Sequence, residues 1–352
     1  MVDELECVAS VLLAIAFGHL SGAHTISWAA FSGYMVMRGH VSASFFRGLL
    51  RIAGTGLGAA LALAVTPHVL QSPALAGGAM GLIGAVSLYF ALTGRRSYAW
   101  LFVGLPFAMI MLDKLEHPTL ALWPFVHTRV IEVIAGTSAC VLVSAVSTFT
   151  LRRRWPAAPL PTPQRMGWRP DVARHCALAG VALSLLPWLH QAAGVPQLAQ
   201  AAVTIMAVMM APVSAIGDGA FWSVNRRILL RAAGCLAGVA MASGFLILAY
   251  DGESAAWAAP VLIAGTILGV AIGRHIENGQ GSMAYGGLQF TLVVLVALVP
   301  DSYANADLAP AVHRLISIFV GFAILEPVLL AWRFLAPGRR KTAQAEAQST
   351  DI

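Results

Sequence analysis

The chain has 352 residues, of which 58% are hydrophobic and only 11% charged, and its mean hydropathy is +0.76. Such a composition excludes an ordinary soluble domain and calls for a lipid solvent. The net charge of +6 sits in short loops between apolar blocks, which is a signature of membrane topology and argues against nucleic acid as a partner.

The apolar blocks match the length a helix needs to cross about 30 Å of hydrocarbon. They predict spans near residues 7–22, 24–37, 47–66, 74–93, 97–112 and 128–150, then 174–191, 197–215, 227–250, 256–273, 283–299 and 312–334. Met1 to Glu6 carries Asp3, Glu4 and Glu6 where a cleavable signal would carry Lys or Arg, so the first helix is expected to stay attached. At its far end stand His19 and His24, whose imidazoles titrate near neutrality and are candidate proton carriers, although a lone interfacial histidine is more often structural. The second and eighth blocks are short and suit broken or tilted helices. Trp28 and Tyr34 in the second block offer rings on which a substrate can stack.

The third block holds Arg47 and Arg51 four residues apart, on one helical face near the cytoplasmic end. Arg47 is close enough to the interface to snorkel to lipid phosphates. Arg51 lies a turn deeper, where a guanidinium that faces a cavity holds a carboxylate through paired hydrogen bonds. Gly54 and Gly58 have the spacing that lets helices approach closely, and Thr55 between them presents a hydroxyl. In the sixth block Arg129 and Glu132 are placed to pair, and Glu132 is a candidate proton-coupling acid.

Leu151 to Asp171 is basic and rich in proline, and reads as a cytoplasmic linker. Beyond it the pattern returns. Arg227, Arg231, Gly234 and Gly238 follow Arg47, Arg51, Gly54 and Gly58 at an offset of 180; Ser282 to Tyr285 follow Ser97 to Trp100, and Arg314 and Gly321 follow Arg129 and Gly136, at 185. Ser317 takes the place of Glu132. Glu326, followed by Pro327, is the other acid inside an apolar block. The expected architecture is an all-α membrane protein of about twelve transmembrane helices. It comprises two parallel six-helix repeats, 1–150 and 174–335, a linker at 151–173, and a polar cytoplasmic tail at 336–352.

With the amino terminus inside, all but Lys114, Arg129 and Arg314 of the 22 basic residues fall on the cytoplasmic side, which places both termini there. The four cysteines, Cys7, Cys140, Cys176 and Cys235, have no ligand spacing, and no phosphate-binding, metalloprotease or nucleophile-elbow motif occurs, so neither a cofactor nor an enzyme is expected.

The run Arg47-Gly-x-x-Arg51-x-x-Gly54-Thr-x-x-Gly58, with Arg129-x-x-Glu132-x-x-x-Gly136, resembles the fusaric acid resistance and aromatic acid exporter family. The arginine-bearing helix is also distantly similar to plant aluminium-activated malate transporters. The resemblance implies a bacterial inner-membrane transporter that exports aromatic or other organic acids on the proton gradient, with room for a periplasmic adaptor or a homo-oligomer. Many aromatic acid exporters carry a large cytoplasmic region between or after their membrane halves, where this sequence is expected to have only the linker from Leu151 to Asp171. In this reading Arg51 and Arg231, with Arg47, Arg227, Thr55 and Trp28, form the anion pathway. Glu132 or Glu326, with Arg129 and His19, serves the proton. A passive anion channel and a non-transporting scaffold are the rival readings.

Overall fold

The computed structural model of the protein describes residues 1–159, 167–216, 220–250, 257–279, 281, 283–303 and 307–335. The proline-rich centre of the linker, Ser282 and the tail 336–352 lie outside them. The described residues contain no strand. In chain order the helices are α1 (Val2–Leu20), α2 (Ile26–Val36), α3 (Val41–Val69), α4 (Pro73–Thr93), α5 (Ser97–Glu116), α6 (Leu122–Phe149), α7 (Leu151–Arg154), α8 (Pro170–Ala193), α9 (Ala199–Met209), α10 (Ala220–Tyr250), α11 (Ala258–Asn278), α12 (Ala284–Leu298) and α13 (Ala309–Leu335). Local chemistry sets several of these ends: Pro73 and Pro170 occupy first turns, where a missing N–H costs nothing, and α8 stops at Gly194 in the left-handed region, φ 60°.

Each expected block holds one helix. Eight of them, α3, α4, α5, α6, α8, α10, α11 and α13, are long and apolar enough to cross a membrane. The other four fall short in length or carry acids. Helices α2 and α9 have 11 residues each, about 16 Å of helix, or half the hydrocarbon thickness.

Several helices start earlier than expected. Helix α1 starts at Val2 and includes its three acids, because distant helices supply partners: Arg152 of α7 bonds Glu6 (Nε to Oε1, 2.8 Å) and Asp3, Arg274 of α11 bonds Asp3 (2.5 Å), and His275 of α11 lies 3.2 Å from Glu4. Glu6 also accepts from Ser147. Helices α3 and α10 begin six or seven residues earlier than their apolar blocks, so the arginines lie within the helices instead of marking their ends.

Glycines bring the central helices together. A Cβ on Gly54 or Gly58 would collide with the Ala99 or Val103 carbonyl of α5, and one on Gly234 or Gly238 with the Gly286 or Phe290 carbonyl of α12. Only a missing side chain allows such approach. Helix α4 meets α8 in the same way, with Gly77 and Gly81 against the Ser184 and Gly180 carbonyls. The contact of α1 and α2 with α11 is polar: Tyr34 donates to Glu277 (2.7 Å), which also pairs with Arg274 (3.1 Å). Tyr34 is therefore committed to the protein and does not face a substrate.

Candidate anion-binding cavity

A cavity of about 420 Å³ lies among α2, α3, α5 and α6 on one side and α9, α10, α12 and α13 on the other. Its walls carry Arg47, Arg51, Arg129, Arg227, Arg231 and Arg314, against a single acid, Glu132. Most of the remainder is apolar or aromatic, including Trp28, Phe31, Phe102 and Phe125, with Thr55, Ser97, Gln200 and Gln289 as the uncharged polar members.

The arginines come in like pairs. Arg47 lies over the Tyr98 ring at 3.7 Å and donates to the Met35 carbonyl (3.1 Å); Arg227 lies over the Tyr285 ring at 3.9 Å and donates to the Ala207 carbonyl (3.0 Å). Both turn inward instead of snorkelling to lipid. Arg51 and Arg231 are each 1% exposed. Arg51 donates to the Tyr98 hydroxyl (3.1 Å) and stacks on Phe102 (4.1 Å), whereas Arg231 donates to the Tyr285 hydroxyl (3.5 Å) and to the Gln289 side-chain amide oxygen Oε1 (2.5 Å). Among the described residues neither meets a carboxylate. The contacts pair Tyr285 with Tyr98 instead of Trp100, so the register along α12 is two residues off the sequence match.

Arg129 and Arg314 form the third pair. Arg129 bonds Glu132 at 3.0 Å and lies over the Trp28 ring at 4.5 Å, and Glu132 also accepts from the Thr25 backbone N–H (3.1 Å). Arg314 has the Phe31 ring at 5.5 Å. Among the described residues it makes no hydrogen bond or ion pair, and its Nε is buried without a partner. The sequence reading set Arg314 on the outer side and did not include it in the site.

Thr55 lines the cavity with its hydroxyl unpartnered, and Trp28 lines it beside Arg129. The structure does not bring His19 or Glu326 there: His19 is exposed at the end of α1, and Glu326 sits half-buried on α13 outside the cavity wall. Sequence reasoning also missed Tyr98, Tyr285 and Gln289, which hold the deep guanidinium groups from α5 and α12.

Two further carboxylates position the short helices. Asp301 accepts from the Ile26 N–H at the start of α2 (2.9 Å), and Glu116 from the Leu198 N–H just before α9 (2.8 Å). Each stabilises the positive end of a helix whose first N–H groups lack intrahelical partners. The separation 116 to 301 is 185, the offset already seen between Arg129 and Arg314, and it was the signal that would have found them.

Chemically, six cations against one anion in an apolar cavity leave five charges uncompensated. A buried cation without a partner is costly, and an incoming anion relieves that cost. The apolar helices and the basic cavity define a multi-pass membrane protein of transporter type. Residues 13–144 match the family described as fusaric acid resistance protein-like, and both motifs that carry the resemblance fall inside that stretch. No curated protein and no solved structure matches the chain.

Proposed function

We propose that this chain is an inner-membrane secondary transporter that exports an organic anion, of the aromatic acid class, in exchange for protons. The observation that carries the reading is the cavity, in which the deep guanidinium groups of Arg51 and Arg231 face apolar and aromatic walls with no carboxylate of their own. A carboxylate entering there gains charge-assisted hydrogen bonds in a medium of low dielectric. Glu132, the acid of the cavity wall, is the proton carrier in this reading, held at rest by Arg129.

The architecture in this reading is twelve spans in two parallel six-helix repeats, 1–150 and 174–335, with both termini cytoplasmic. The matched contacts support it: Arg47 on Tyr98 with Arg227 on Tyr285, and the Asp301 cap on α2 with the Glu116 cap on α9. In each cap the carboxylate of one half holds the short helix of the other. The half-length helices α2 and α9 then resemble the interrupted helices from which transporters build central sites.

The test is initial flux of labelled benzoate in proteoliposomes with a pH gradient imposed and the voltage clamped. Benzoate accumulates with the gradient and stops when it is collapsed. Flux that follows voltage alone, indifferent to the pH gradient, replaces the exchanger by a channel, and flux equal to that of empty vesicles ends the transport reading.

A further inference from the structure

We propose that Arg314 is the anchoring cation for the carboxylate of the bound anion. Its structural counterpart shows what belongs there. Arg129 and Arg314 stand at matching places on α6 and α13, and a Cβ added to the glycine seven residues on would meet the matching short helix in each half: Gly136 the Ala29 carbonyl of α2, Gly321 the Ala201 carbonyl of α9. At Arg129 a carboxylate three residues on closes the pair at 3.0 Å. At Arg314 that position is Ser317, whose hydroxyl instead donates to the Gln197 carbonyl (2.8 Å).

The backbone follows the exchange. Where Glu132 accepts, Thr25 presents its N–H; where Ser317 donates, Gln197 presents its carbonyl, with φ at 59°, a rare value for a non-glycine residue. This polar link satisfies Ser317 and leaves Arg314 without an acid partner among the described residues. Arg314 is 4% exposed and lines the cavity, with the Phe31 ring 5.5 Å away and Arg231 in the same wall. A guanidinium so placed accepts a carboxylate carried on an apolar or aromatic body, in the place Glu132 takes at Arg129. The assignment deepens the transport reading, because it names the cation that the anion's head group occupies.

The decisive variant is Ser317→Glu, which ties a carboxylate to Arg314 at the spacing of the Arg129–Glu132 pair. Equilibrium binding of labelled benzoate to the purified full chain in detergent is the readout, with neutral benzamide as competitor. Wild type binds benzoate and benzamide does not displace it. Ser317→Glu weakens benzoate by about tenfold or more, since the tied carboxylate occupies the guanidinium. Arg314→Gln weakens benzoate similarly, and Arg314→Lys less. Wild-type affinity in folded Arg314→Gln or folded Ser317→Glu overturns the assignment, as does absence of benzoate binding to wild type. Full flux in Arg314→Gln with none in Arg51→Ala removes Arg314 while keeping transport. Arg314-dependent binding in a protein without flux does the reverse.

Discussion

Replacing Arg51 or Arg231 by Met removes a buried cation that no carboxylate neutralises, whereas replacing Arg152 by Met takes the partner from a buried acid. Glu6 is 3% exposed and depends on Arg152 and Ser147, so Arg152→Met strands its charge and is expected to cost about 3–5 kcal/mol. At Arg51 the losses are one hydrogen bond from a charged group, about 1.5–3 kcal/mol, and stacking on Phe102, about 0.5–2 kcal/mol. Against them stands the relief of a desolvated charge, several kcal/mol, so stability is expected to change little. Function separates the two classes the other way. Losing one charge-assisted contact to the anion corresponds to about 10- to 150-fold in affinity, and Arg51→Lys, which keeps charge but not the planar fork, restores only part. Thermal unfolding in detergent and benzoate flux per folded protein are measured on the same preparations. Wild-type flux in Arg51→Met and Arg231→Met, or destabilisation equal to that of Arg152→Met, refutes the reasoning.

Gly58→Leu is expected to lower the unfolding temperature by driving a side chain into the Val103 carbonyl, while Gly56→Ala, with nothing within 4 Å of its Cβ, is neutral or gains up to about 1 kcal/mol; unfolding curves of the two decide it. Glu116→Ala and Asp301→Ala each lose one helix cap and about 0.5–2 kcal/mol, and the double variant is expected to lose the sum, since the two caps share no partner. Single cysteines at Ser97 and Leu115, in a cysteine-free background, are expected to label with an impermeant reagent from opposite sides of the membrane, Ser97 from the cytoplasm; labelling from one side contradicts the topology.

Helix positions were legible because membrane helices announce themselves by length and apolarity, and the deep arginines because charge inside such a block is conspicuous. Information that depends on distant partners was not. The acids of α1 look like a reason to start the helix later, and Arg152 and Arg274, arriving from α7 and α11, make Asp3 and Glu6 tolerable in the first turns. The register of α12 was misread because one Ser, one Ala and one aromatic residue are too little to fix an alignment, whereas the contacts of Arg47 and Arg227 with their tyrosines fix it directly.

The exchange of Glu132 for Ser317 was visible in the sequence as a broken pair, and it was read as bearing on Glu132 alone. Its larger consequence falls on the arginine that lost the acid. A carboxylate accepts and a serine hydroxyl here donates, so the facing backbone presents an N–H at Thr25 and a carbonyl at Gln197, and the link between helices survives in both halves. What does not survive is the neutralisation of the neighbouring cation. The link can therefore be kept with either residue, but only with serine is Arg314 left facing Phe31 with its charge available to an anion from outside the protein.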